Sequence, residues 1–128
     1  MTPERIVKIH DALDELAGVR FPYKVARQLA VLNRRVNEET AIISTMERDL
    51  VKQFGGTVSK LGALRFDSNE AREAFAAAHA AIMQEENEEV SLPTVDLSKY
   101  TSMLTLSASA LDALEGIIIF ERGDTDGE

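Results

Sequence analysis

One long helical pattern constrains the fold of this chain more than any other feature. It runs from Pro22 to Phe54 and stops at the glycine pair Gly55-Gly56. Its apolar residues follow a heptad-like spacing and are Val25, Leu29, Leu32, Val36, Ile43, Met46 and Leu50. A polar residue, Glu39, interrupts the seam once. Such a helix would be about 50 Å long at roughly 1.5 Å per residue, so it needs an apolar partner, either in this chain or in a second copy.

Boundary signals divide the rest of the chain into shorter elements. A helix of about 14 residues is predicted to begin at Thr2-Pro3-Glu4, because a capping hydroxyl and a proline favour a helix start. Residues 57–66 are predicted to form a small β-hairpin or an irregular loop. Ser68 and Ser107 are predicted N-caps, the first for a third helix through Ile82 and the second for a short helix over 108–114. Apolar and polar residues alternate over residues 90–97, but Pro93 limits this segment to an edge strand or an extended arm.

These elements predict a mainly α fold. We expect a long antiparallel helical hairpin with a small β-hairpin at its tip and an extended C-terminal arm packed along it. Residues 1–121 are predicted to form a single helical domain, and residues 122–128 a disordered acidic tail. If the third helix folds back antiparallel on the long helix around Leu61, the numbers of two residues that face each other across the pair should sum to about 123. That register predicts Glu88 and Glu89 near Arg34 and Arg35.

Composition limits the classes of ligand. The net charge of −8 is uneven: residues 1–66 carry 11 Lys/Arg and 8 Asp/Glu, whereas residues 67–128 carry 3 and 14. An acidic half repels phosphate backbones, so we predict no nucleic-acid ligand. The absence of cysteine excludes disulfides and thiolate sites. No apolar run approaches the roughly 20 residues of a membrane span, and no signal peptide is recognisable, so we expect a soluble, non-secreted protein.

No catalytic or metal-binding pattern emerges. His10 and His79 lie in predicted helices without a partner at metal-ligand spacing. Gly55-Gly56-Thr57 lacks the lysine and spacing of a phosphate loop, and the serines around Ser107 lack the glycines of a nucleophile elbow. We therefore predict that the chain is not an enzyme and has no catalytic residues, no metal site and no cofactor.

Two segments are candidates for binding a partner. One is the acidic run Glu85, Glu86, Glu88 and Glu89, which either is neutralised by the basic stripe of the long helix or forms an exposed surface. The other is the apolar run Ile117, Ile118, Ile119 and Phe120, which either packs on the protein's own helices or inserts into a partner. Side chains alternate along a strand, so one pair of this run is expected to face outward and to require a second surface. That expectation predicts a homo-oligomer or a protein partner.

The order of elements resembles a family of small phage and prophage proteins known only as a domain of unknown function. The similar segments are 21–29, 48–55 and 104–115. Gly116 stands where that pattern would have proline. The resemblance implies a phage or prophage origin and a location in the host bacterial cytoplasm or the virion.

The predicted function is that of a phage-encoded, non-enzymatic protein-binding protein, such as a small virion or assembly component. The alternative is an acidic inhibitor of a host defence enzyme, an anti-defence protein that covers a basic nucleic-acid-binding surface. An inhibitor should present the acidic run exposed and unpaired. An assembly protein should pair it with Arg34 and Arg35 and should bury an apolar seam between chains.

Overall fold

The computed structural model describes residues 1–121, and within them the protein is mainly helical, as predicted. The helices and strands follow in the order α1 (Pro3–Asp14), α2 (Tyr23–Gln53), β1 (Thr57–Val58), β2 (Leu64–Arg65), α3 (Asn69–Met83), β3 (Val95–Asp96), α4 (Ala108–Leu114) and β4 (Ile118–Ile119). A 3₁₀ turn at Thr101–Met103 precedes α4. The acidic tail predicted to be disordered, residues 122–128, lies outside the described residues.

The predicted helix caps are confirmed. The Thr2 hydroxyl accepts a hydrogen bond from the Arg5 backbone N–H, with Pro3 at the first helical position. Ser68 caps α3 and Ser107 caps α4 in the same way. Each cap satisfies a backbone donor that the first turn of a helix leaves without an intrahelical partner. Because of these caps, local sequence sets where three of the four α-helices within residues 1–121 begin.

The apolar seam of α2 is buried within the chain. Six of the seven predicted seam residues are buried, and Met46 is half-buried against the core. The polar interruption, Glu39, forms an ion pair of 2.7 Å with Arg35 one turn earlier on the same helix. Helix α1, helix α3 and strand β3 contact α2. The chain thus supplies a partner for its own seam.

Two small β-sheets, each of two short strands, join segments outside the helices. Strands β1 and β2 are antiparallel, with Val58 opposite Leu64. Strands β3 and β4 are parallel, with Val95 opposite Ile118. The predicted extended piece over 90–97 therefore contains only a two-residue strand, which begins after Pro93. Proline lacks the backbone N–H that a ladder needs, so pairing starts only beyond it.

Helices α1, α2 and α4 enclose the core together with the β3–β4 pair. The largest fully buried side chains are Ile9, Leu32, Val36, Val95, Leu97 and Leu114. Helix α3 contacts α2, and one cross-helix hydrogen bond joins the His79 ring to the Glu47 carboxylate at 2.7 Å. The residue numbers 79 and 47 sum to 126, which differs by three from the predicted sum of 123. No helix within residues 1–121 is both long and apolar enough to cross a membrane.

Candidate protein-interaction surfaces

An exposed apolar tip lies at the β1–β2 turn. Leu61 is 97% exposed, and the cross-strand pair Val58 and Leu64 is 56% and 41% exposed. Directly opposite residues in an antiparallel pair project from the same face. We call Val58, Leu61 and Leu64 the apolar tip.

Hydrogen bonds fix the backbone of this turn. The Gly62 N–H donates to the Ser59 carbonyl at 2.9 Å, and the Ser59 N–H donates to the Ala63 carbonyl at 2.9 Å. The Ser59 hydroxyl also accepts from the Ala63 N–H at 3.1 Å. Gly62 has φ of +83°, a conformation that other L-residues rarely adopt. The turn therefore holds Leu61 outward in a defined backbone rather than in a loose loop.

An aromatic stack connects the base of this turn to the two helices. The Phe66 and Phe75 rings lie 5.2 Å apart, and Phe75 stacks on His79 at 5.5 Å. His79 in turn hydrogen-bonds Glu47 on α2. Phe66 also covers Gly56, where an added Cβ would come within 2.6 Å of the ring. These contacts join β2, α3 and α2, and so they orient the apolar tip.

The acidic run follows the C-terminus of α3. Glu85, Glu86, Glu88 and Glu89 are all exposed. The Glu86 carboxylate contacts the α-amino group of Met1, and the Asn87 N–H donates to the Met1 carbonyl. The other three carboxylates take part in no ion pair among residues 1–121.

The predicted pairing of Glu88 and Glu89 with Arg34 and Arg35 is wrong. Arg35 pairs instead with Glu39, one turn away on α2. An i, i+4 pair is already adjacent on the helix surface, so it forms without ordering a loop. Arg34 takes part in no ion pair within the described part of the chain.

The C-terminal apolar run packs mainly on the protein itself. Ile117 and Ile118 are both buried, Phe120 is half-buried against the core, and Ile119 is 37% exposed. The expectation that an apolar pair would face outward is therefore wrong. Gly116 has φ of +83°, and the Ile117 N–H donates to the Leu114 carbonyl, so Ile117 belongs to a turn rather than to the strand. Strict alternation of buried and exposed side chains therefore applies only within β4.

A groove lies between the first half of α2 and the segment before β3. It has a volume of about 440 Å³ and is lined by Tyr23, Lys24, Arg27, Gln28, Val31, Pro93, Thr94 and Val95. We call it the α2 groove. Tyr23 is 81% exposed and Val31 is 39% exposed, because both project from the side of α2 that lies away from the seam.

The two histidines lie on helices, each beside a carboxylate: His10 beside Asp11 and His79 beside Glu47. One ligand atom each from His10, Asp11 and Asp14 lies within 4.8 Å of the others, but the two carboxylates are on the exposed surface of α1. Exposed acidic groups of this kind are common without an ion. His79 serves the aromatic stack, and Ser107 caps α4.

The sequence analysis missed the apolar tip and the α2 groove, which carry the two most exposed large hydrophobic side chains, Leu61 and Tyr23. The signal for the apolar tip was present, since Leu61 is a large aliphatic residue inside a predicted turn. Tyr23 and Val31 were recognisable as apolar positions outside the seam. Their proximity to Pro93 depends on tertiary packing and has no local signal.

Comparisons with known proteins add no relative. No protein-family model, no curated protein and no solved structure matches this chain.

Proposed function

We propose that this chain is a phage- or prophage-encoded, non-enzymatic protein-binding protein, a small virion or assembly component that binds through its apolar tip. The phage origin rests on the sequence resemblance alone. The binding role rests on one observation, which is that a turn fixed by hydrogen bonds holds Leu61 97% exposed.

Physical chemistry favours a binding role for such a residue. Burying a leucine side chain is worth roughly 1.5–3 kcal/mol relative to leaving it in water. A surface that is already ordered loses less conformational entropy on binding, so more of that energy appears as affinity. Apolar anchors that fill a partner's pocket typically dominate an interface. In this proposal, α2 and α3 form the antiparallel hairpin that carries the tip.

Site-specific photo-crosslinking tests the proposal. A photoreactive amino acid replaces Leu61 in one variant and the exposed Lys99 in a control variant, both expressed in host cells. We expect a discrete cross-linked protein from position 61 and none from position 99. The added change Val58→Asp should remove the product while the helical circular dichroism spectrum stays unchanged. The same products from both positions, or a product insensitive to Val58→Asp, would contradict the proposal.

A second candidate function is the acidic inhibitor of a host defence enzyme. It meets the criterion stated for an inhibitor, because Glu85, Glu88 and Glu89 are exposed and take part in no ion pair within residues 1–121. The pairing with Arg34 and Arg35 expected of an assembly component is not found among those residues, and the seam of α2 is buried within the chain, so the assembly role depends on the apolar tip alone. Three glutamines in place of these glutamates would remove the negative charge and keep nearly the same shape. An inhibitor that covers a basic surface would lose its partner in this variant. A partner bound by the apolar tip would still be cross-linked at position 61.

A further inference from the structure

We propose that the α2 groove and the acidic run form a self-complementary face through which two copies of this chain pair. This inference goes beyond the proposed function, which uses the apolar tip. It assigns the occupant of the groove as a second copy, whose acidic run lies against the groove's cations.

The groove combines apolar surface with two cations. Tyr23, Val31 and Pro93 supply the apolar part of its lining, and Lys24 and Arg27 supply the positive charge. Neither cation takes part in an ion pair among residues 1–121. The groove therefore has the composition of an interface centre bordered by charge.

The complementary charge lies nearby in the same chain. Glu85, Glu88 and Glu89 are exposed and also outside ion pairs in the described part of the chain. Glu89 precedes Pro93, a lining residue of the groove, by four positions. Four residues span at most about 14 Å of fully extended chain. The acidic run therefore ends within that distance of the groove's lining.

A two-fold axis brings such surfaces together. Interfaces between identical subunits are most often two-fold, so that a surface on one copy meets the same surface on the other. When opposite charges lie side by side, the rotation places each acidic run against the cations of the other copy. Each pairing then forms twice, and the apolar lining between them loses its contact with water.

Other occupants fit the groove less well. The apolar tip of another copy is flanked by Lys60 and Arg65, which would be repelled by Lys24 and Arg27. A nucleic acid would be attracted by the two cations but repelled by the neighbouring acidic run. Only a partner with acidic residues matches the charge, and a second copy provides them.

Charge reversal and charge exchange test the pairing. Lys24→Glu with Arg27→Glu defines one variant, and Glu88→Lys with Glu89→Lys defines the other. Sedimentation equilibrium at low salt should give twice the chain mass for the unmodified protein and the single-chain mass for either variant. An equimolar mixture of the two variants should regain the doubled mass, because both pairings of the mixed dimer then join opposite charges. Added salt should weaken the unmodified dimer.

A matched control separates this pairing from a general effect of charge. Lys60→Glu with Arg65→Glu changes the net charge by the same amount as the groove variant, but at the apolar tip. This control should keep the doubled mass, and circular dichroism should show that every variant is folded. A single-chain mass for the unmodified protein up to its solubility limit would overturn the proposal. So would a doubled mass that neither charge reversal affects.

Discussion

The two ends of the molecule contain helices of similar regularity but very different burial. At one end, α1 buries Ile6, Ile9, Ala12 and Leu13, and the seven-residue α4 buries three of its residues. At the other end, the 15-residue α3 has no buried residue. We call the first the core end (α1, α4, β3–β4 and the first half of α2) and the second the tip end (the end of α2, β1–β2 and α3).

The contrast teaches that helix propensity and helix burial are separate properties. The alanines of α3 give it high intrinsic helix propensity, but each of them buries little apolar area. Leu50 and Val51 near the end of α2 are buried yet lie outside the main core cluster. Regions with few buried contacts open at a lower free energy than the core of the same protein. We therefore expect the tip end to open before the core end.

The largest effect is expected from Leu32→Ala. Leu32 is fully buried in the core end, so its truncation should lower the free energy of unfolding by about 2–5 kcal/mol. Denaturant titration followed by circular dichroism measures the change, and Asn33→Ala on the exposed side of α2 is the matched control. Phe75→Ala at the tip end removes a larger but only half-buried side chain. An equal or greater loss from Phe75→Ala would show that the two ends contribute alike.

A smaller and local effect is expected from Gly56→Ala. The added methyl group would lie 2.6 Å from the Phe66 ring and 2.9 Å from a Val51 methyl group. The ring must shift and disturb the aromatic stack, at a cost of about 1–3 kcal/mol. Hydrogen exchange should accelerate for the amides of α3 and remain unchanged for those of α1.

Gly18→Ala is the matched control for this substitution. A Cβ at Gly18 meets nothing within 4 Å. The change should therefore be neutral, or stabilising by about 0.4–1 kcal/mol through the unfolded chain. Uniform acceleration of exchange throughout the protein with Gly56→Ala would mean that the two ends unfold together.

Local signals in the sequence were enough to predict much of the helical fold. Residues a few positions apart determine the cap at Thr2, the seam of α2 and the cap at Ser107. The cap at Ser107, for example, allowed both boundaries of α4 to be predicted without error. Glycine and proline likewise marked the ends of the long helix. Such features depend on backbone geometry and periodicity, which a sequence displays directly.

Features that depend on competition between distant groups were not predictable in this way. The predicted salt-bridge partner of Arg35 was wrong because acidic residues were available both on the same helix and in the acidic run. Arg35 pairs with Glu39, the one nearer in sequence. The outward pair in the C-terminal run was wrong because Gly116 moves Ile117 out of the strand. The α2 groove escaped prediction because its two sides are more than 60 residues apart in sequence.

The smallest effect is expected from Glu15, which joins two elements of the core end. Its carboxylate accepts hydrogen bonds from the backbone N–H and the hydroxyl of Ser107, both at 2.8 Å. The backbone bond first, and the hydroxyl bond second, hold the pKa of Glu15 below its ordinary value of 4.5. A lowered pKa in the folded state stabilises the fold fully above the unfolded value. This contribution is lost as the pH falls through the folded value.

Glu15→Gln isolates this contribution, because the amide cannot ionise but keeps an oxygen that accepts a hydrogen bond. The original protein should be slightly more stable than the variant at neutral pH, and this difference should shrink as the pH falls below 4.5. All other carboxylates titrate in both proteins, so their effects cancel in the difference. Urea titrations of the two proteins at a series of pH values measure it. A difference that stays constant into acid would mean that the contact between α1 and α4 depends on shape alone. The core end would then have no charged contribution to its stability at this contact.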